Sequence, residues 1–290
     1  MCKHYDCLFS LGAACASSQA LRFANMQFAS YPFDWVGGGD IVTRAKLVAN
    51  GFEHWLDADQ LELTDVLLGK INQRIYRNRL TGISFIHDFP VDGYLSDDLP
   101  VIREKYDRRI RRLYADIGRS KRVLVVYNEI PYRAKAADAD ILEAHRLIQD
   151  RFPGVCIDLV HFSQDLTAKR MRKTELSDHV TTVAVDYHAI EDGFVSLAAH
   201  PEPICRYLLE NACTTDIRTE EEKRKFAEID ARRDEVRYAG RGLTLWINKR
   251  LYRLYRRLER FLVARGVLPR ILRPVRLYDD KSERQTSLKE

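Results

Sequence analysis

The chain has 290 residues, 46% hydrophobic and 31% charged, an ordinary balance for a globular protein with one large domain or one domain plus an appendage. No apolar run approaches the roughly 20 residues a membrane-spanning helix needs, and the start, with Lys3, His4 and Asp6, does not read as a cleavable leader. The formal charge of +5 is unevenly spread: residues 241–276 hold eleven Lys/Arg against Glu259, leaving −5 for the rest, which argues against a nucleic-acid-binding body.

In chain order, Tyr5 to Leu11 is a short apolar run that stops at Gly12, and Ala13 to Met26 favours helix, so the opening reads strand, tight turn, helix. Ser30-Tyr-Pro-Phe-Asp-Trp35 and Gly37 to Gly39 read as loop, and Asp40 can cap a helix running to about Ala49. A helix is expected around Leu61 to Lys70, then a strand over Ile83 to Phe89 closed by Pro90. Pro100 opens a long amphipathic helix to Ile117, with Ile102, Tyr106, Ile110, Leu113 and Ile117 on one face. The run RVLVVY over Arg122 to Tyr127 reads as a buried strand, Ala136 to Phe152 as helix, and Val155 to Phe162 and His179 to Tyr187 as further strands. Strands alternating with helices predict an α/β fold: three layers around a mostly parallel sheet. The expected division is an α/β core over 1–215, a helical extension over 216–276 and a flexible tail over 277–290.

The six cysteines, Cys2, Cys7, Cys15, Cys156, Cys205 and Cys213, form no CxxC pair and no ladder of short spacings. That argues against a disulfide scaffold and a structural zinc site, and reads most simply as reduced thiols, mostly small core residues. Cys15 differs, because it falls three residues after Gly12 where strand hands over to helix. The first helical turn presents unpaired N–H groups and the positive end of the helix dipole, so a thiol there is more readily ionised. Packing as a buried structural cysteine stays open as the alternative. His87 and Asp88 end an otherwise apolar strand, and the carboxyl ends of parallel strands form the ligand crevice of α/β sheets. A histidine there suits proton transfer near neutral pH. His161, in LVHFSQD, is a second histidine of this kind. Asp34 could orient a histidine as the third member of a triad, with Asp88 competing for that role.

No GxGxxG, P-loop, HExxH or GxSxG pattern occurs, which lowers the odds of nicotinamide, ATPase and serine-hydrolase chemistry; no cofactor and no metal is expected. From Leu243 to Val263 apolar residues recur at helical spacing opposite Lys249, Arg250, Arg253, Arg256, Arg257 and Arg260. Such a helix can dock on the domain with its arginines solvated, or lie on an anionic membrane face.

The combination Ser10-Leu-Gly-Ala-Ala-Cys15, Leu21-Arg22 and Ser30 to Trp35 resembles a bacterial domain-of-unknown-function family assigned to papain-like cysteine peptidases. Phe52, the segment Phe85-Ile-His-Asp88, the Tyr106 to Arg112 helix and the VLVVY strand follow in the same order, so the resemblance covers roughly residues 4–190. It implies Cys15 as nucleophile, His87 as base and Asp34, ahead of Asp88, as third member, on a papain-like α+β fold as the alternative to the three-layer reading. The expected function is a cytosolic thiol hydrolase or acyltransferase acting on a peptide, acyl or glycan-linked substrate. The alternatives are a transferase or accessory protein of cell-surface polysaccharide assembly, held near an inner membrane by the basic helix, and a non-catalytic binding module.

Overall fold

A computed structural model describes residues 2–13, 15–67, 73–129, 135–165, 171–185 and 202–215, with isolated positions at 220, 221, 223, 224 and 265. The helix expected over Leu243 to Val263 and the tail over 277–290 lie outside the described residues, as does nearly all of the 216–276 extension.

Aliphatic runs with no polar alternation build the centre. Strands β2 (Cys7–Ser10), β7 (Arg122–Asn128), β8 (Cys156–Gln164) and β10 (Val180–Val185) lie parallel, and β9 (Arg172–Ser177) pairs antiparallel at the edge, in the order β2-β7-β8-β10-β9. Val123, Val125 and Val126 are fully buried, as a sheet covered on both faces requires. One face packs on α2 (Ile41–Ala49), α3 (Leu95–Gly118) and α4 (Asp138–Arg151), through Ala45, Leu113, Ile141 and Ile148. The other packs on α1 (Ala16–Phe23) and α5 (Glu202–Asn211), through Ala20, Leu21, Ile204 and Leu208. A short pair, β1 (Lys3–His4) with β11 (Ala212–Cys213), ties the two ends of this unit.

The strand–helix alternation did not foretell the second sheet. Strands β3 (Val36–Gly38), β4 (Leu61–Leu67), β5 (Gln73–Asn78) and β6 (Ile83–Pro90) form an antiparallel sheet in the order β3-β6-β5-β4. The architecture is therefore mixed α/β, with one mainly parallel and one antiparallel sheet. The helix expected from Leu61 is strand β4: Leu61 and Val66 are buried while Glu62, Leu63 and Thr64 face solvent, as suits an edge strand. The long helix starts at Leu95 rather than Pro100, with Asp97 and Asp98 favourably placed in its first turn. The cap at Asp40 forms as expected, its Oδ1 accepting from Thr43 N at 2.7 Å.

Two features join the sheets. Phe33, Phe52, Trp55, Phe85 and Tyr106 form an aromatic cluster with ring centroids 5.2–5.6 Å apart, and burying each such ring contributes on the order of 2–3 kcal/mol. Arg44, wholly buried on α2, donates to Leu11 O (3.0 Å), Gly38 O (2.7 and 2.9 Å) and Val36 O (3.3 Å). One guanidinium thereby links the end of β2 to β3.

Candidate functional site

The chain leaves β2 through a turn pinned to its neighbour: Leu11 N donates to Val126 O (2.9 Å) and Ala13 N to Asn128 O (3.2 Å). Gly12 is needed there for space. A Cβ on it would lie 2.1 Å from Ser17 Oγ and 2.7 Å from Asn128 Oδ1. Ser17 is held in turn by Ser10 Oγ at 2.6 Å. This close approach delivers Cys15 as the N-cap residue of α1, half-buried, with its carbonyl accepting from Gln19 N at 2.9 Å. The Cys15 thiol makes no capping hydrogen bond to its own helix. Cys7, by contrast, is buried beside Tyr31, and burial pushes its thiol up to about 12, which silences it as a nucleophile.

The YPFDW segment is a wedge between these parts. Phe33 enters the aromatic cluster, and Ser18 Oγ donates to Asp34 O (2.8 Å) and Cys15 O (3.2 Å), tying the segment to the first turn of α1. The Asp34 side chain is wholly buried, and its Oδ2 accepts from Gln27 Nε2 (2.7 Å), Tyr31 N (3.0 Å) and Arg22 Nη2 (3.1 Å). Burial pushes this carboxyl above the usual carboxylate range, against the pull of Arg22 and the Tyr31 N–H. Among the described residues its other oxygen accepts no hydrogen bond and no histidine bonds to the carboxylate.

His87 is exposed on β6, so the expectation that it ends a parallel strand is corrected: β6 is a central strand of the antiparallel sheet. The ladder pairs Val36 with Phe85, and two residues further back Asp34 would fall level with His87, but the chain turns away over 32–35. Asp88 is committed elsewhere, accepting from Lys105 Nζ and, at 2.8 Å, from the Tyr106 hydroxyl. Burial and this carboxylate hold the Tyr106 phenol well above its ordinary range. Asp88 thus anchors β6 on α3.

The carboxyl edge of the parallel sheet carries residues that the sequence reading missed or undervalued. His161 is buried on β8, stacked on Tyr127, with Nε2 3.0 Å from Glu129 Oε1. Glu129 reaches a cleft of about 470 Å³ that Ala13, Gly39, Ile41 and Lys135 also line. Among the described residues Asn128, wholly buried beside Gly12, has no hydrogen-bond partner on either Oδ1 or Nδ2, and His161 Nδ1 has none. No pattern in the sequence marks Asn128; it emerges only when β7 is laid beside the Gly12 turn.

The amino edge carries a second thiol cluster. Cys156 and Asp158 share one face of β8, and His179 precedes β10, with Nδ1 2.8 Å from Asp158 Oδ1 and 3.7 Å from Cys156 Sγ. A relay triad uses one ring nitrogen for the nucleophile and the other for the acid. Here both partners meet the same nitrogen, so the cluster lacks triad geometry. A cysteine and an aspartate two apart on a strand, with a histidine just before a later strand, is the signal that could have found it.

Fold and site together define a mixed α/β protein with a half-buried cysteine at a strand-to-helix turn. Residues 6–165 match the family model described as "Putative papain-like cysteine peptidase (DUF1796)", and the chain belongs to that family. It is also similar to "Uncharacterized protein R408" of Acanthamoeba polyphaga mimivirus, 31% identical over 140 residues, which are 43% of this chain and 62% of that protein. That relative is viral and lends no support to the bacterial setting expected from the resemblance. No solved structure matches the chain. Among the described residues no helix is long and apolar enough to cross a membrane.

Proposed function

We propose that the protein is a thiol-dependent hydrolase or acyltransferase in which Cys15 attacks a carbonyl and His87 takes up and returns the proton. The supporting observation is the position of Cys15, half-buried as N-cap of α1 directly behind a turn that only glycine fits. N–H groups of the first turn of α1 are suited to receive the developing oxyanion. His87 lies exposed on β6, whose ladder partner β3 follows directly on the YPFDW wedge. Asp34 is a positioning residue in this reading. Through Arg22, Gln27 and Ser18 it holds the wedge against α1.

Iodoacetamide alkylation at pH 6–7, mapped by mass spectrometry, is the direct test. Cys15 should react at least tenfold faster than glutathione, and His87→Ala should return it to the rate of an ordinary thiol. An activity-based acyl probe should label wild type and not Cys15→Ala. A Cys15 no more reactive than glutathione would end the nucleophile reading.

A further inference from the structure

We propose that Cys156, Asp158 and His179 form a binding site for a zinc-class divalent cation, separate from the Cys15 turn. The three donor atoms, Sγ, Oδ1 and Nδ1, all lie within 4.8 Å of one another. What disqualifies the cluster as a relay is what a cation requires: both other donor atoms gather at the same ring nitrogen instead of dividing between the two. In a tetrahedral zinc site, bonds of about 2.3 Å to sulfur and about 2.0 Å to nitrogen set the sulfur–nitrogen edge near 3.5 Å. The Cys156–His179 separation is 3.7 Å. The Asp158–His179 contact of 2.8 Å is a hydrogen bond that opens by roughly half an ångström when the proton on Nδ1 gives way to a cation. Binding would release the Cys156 thiol proton, and the imidazole would stay neutral with its proton on Nε2.

The donors are oriented from behind, as metal ligands characteristically are. Asp158 Oδ2 accepts from Tyr5 OH (2.8 Å) and Arg122 Nε (3.0 Å), and Lys3 Nζ is 3.7 Å away. These contacts leave Oδ1 for the site. The His179 ring stacks on His145, 7° from parallel at 6.1 Å, and His145 Nε2 is fixed on Ile157 O at 2.8 Å. The His179 carbonyl accepts from Leu159 N, and Cys156 N donates to Lys121 O, so both ligands sit on pinned backbone. Half-exposed Cys156 and exposed His179 leave room for water to complete the shell. The cations on Oδ2 also set the selectivity. With one carboxylate oxygen already spent, calcium and magnesium find too little charge and too few oxygens, while thiolate plus imidazole suits zinc and cobalt. The sequence reading expected no metal because it sought CxxC spacing, which a site built across two strands does not need.

The test is titration of the full chain with Co²⁺, followed by absorption, and competition by Zn²⁺. One equivalent should bind with a thiolate-to-cobalt charge-transfer band that Zn²⁺ removes. Cys156→Ser should abolish the band, and His179→Gln should weaken binding at least tenfold with the far-UV circular dichroism unchanged. Cys15→Ala should leave the titration as in wild type, which keeps this result distinct from that of the proposed nucleophile. Absence of stoichiometric binding, or a band that survives Cys156→Ser or vanishes in Cys15→Ala, overturns the site.

Discussion

The two ends of the parallel sheet each carry a cysteine, yet they are finished differently. At the amino end the carboxylate beside Cys156 is heavily engaged: Asp158 alone serves Tyr5, Arg122, Lys3 and His179. At the carboxyl end, next to the turn that delivers Cys15, Asn128 is buried with neither amide atom paired among the described residues. A buried amide without partners costs on the order of 1–3 kcal/mol, whereas a satisfied ionic network resists removal of any one member. The difference separates a region tied by an ionic network from one that carries an unpaired buried amide. The proposed nucleophile belongs to the second kind.

Four substitutions can break or sharpen that contrast. The largest effect is expected at the junction between the sheets. Arg44→Met strands three buried carbonyls and should cost about 4 kcal/mol in urea unfolding; a cost under about 1 kcal/mol would mean the junction holds nothing. At the amino end, Asp158→Asn should cost about 2–3 kcal/mol at pH 7. Burial works to raise the Asp158 carboxyl, but hydrogen bonds from His179, Tyr5 and Arg122 outweigh it and hold it below the usual range. A depressed carboxylate stabilises the fold above the ordinary value of about 3.9 and loses that contribution as pH falls through its folded value. The gap between wild type and Asp158→Asn should therefore close below about pH 4 in thermal melts, and a gap constant down to pH 2 would contradict the assignment. Next, Gly12→Ala forces a methyl onto Ser17 and Asn128 and should cost about 2 kcal/mol, with Cys15 alkylation slowed in the same variant. The smallest effect has the opposite sign. Asn128→Leu removes an unsatisfied amide and should raise stability by about 1 kcal/mol while lowering Cys15-dependent labelling. A destabilised Asn128→Leu would show that the amide is part of the scaffold after all.

How far the sequence reached depended on whether the deciding force was local. RVLVVY is buried on both sides and could only be a central strand, and Asp40 announces its helix by cap chemistry within three residues. Strand β4 reads as helix in the sequence because Leu63, Val66 and Leu67 fall at i, i+3 and i+4, and only pairing with β5 decides. The strand at His87 was found, but strand direction is a property of partners, so its place in an antiparallel sheet was not legible. Cys15 announced itself through Gly12. Asp34 did not announce Arg22 and Gln27, because that clamp exists only once the chain has turned back on α1. Cys156, Asp158 and His179 stayed hidden until the register of β8 with β10 brought Val180 level with Leu159.

In chain order the antiparallel sheet is an insert, spanning 36–90 between two strands, β2 and β7, that lie side by side. Inserts of that kind are ordinarily the removable part of a fold, the portion that can be trimmed or exchanged while the host survives. Arg44 denies this one that independence. Its guanidinium terminates the host strand at Leu11 using a side chain carried by the insert. Excision would leave the strand that presents Cys15 without its end-stop, so the host and its passenger are constrained to be inherited, shortened or redesigned together.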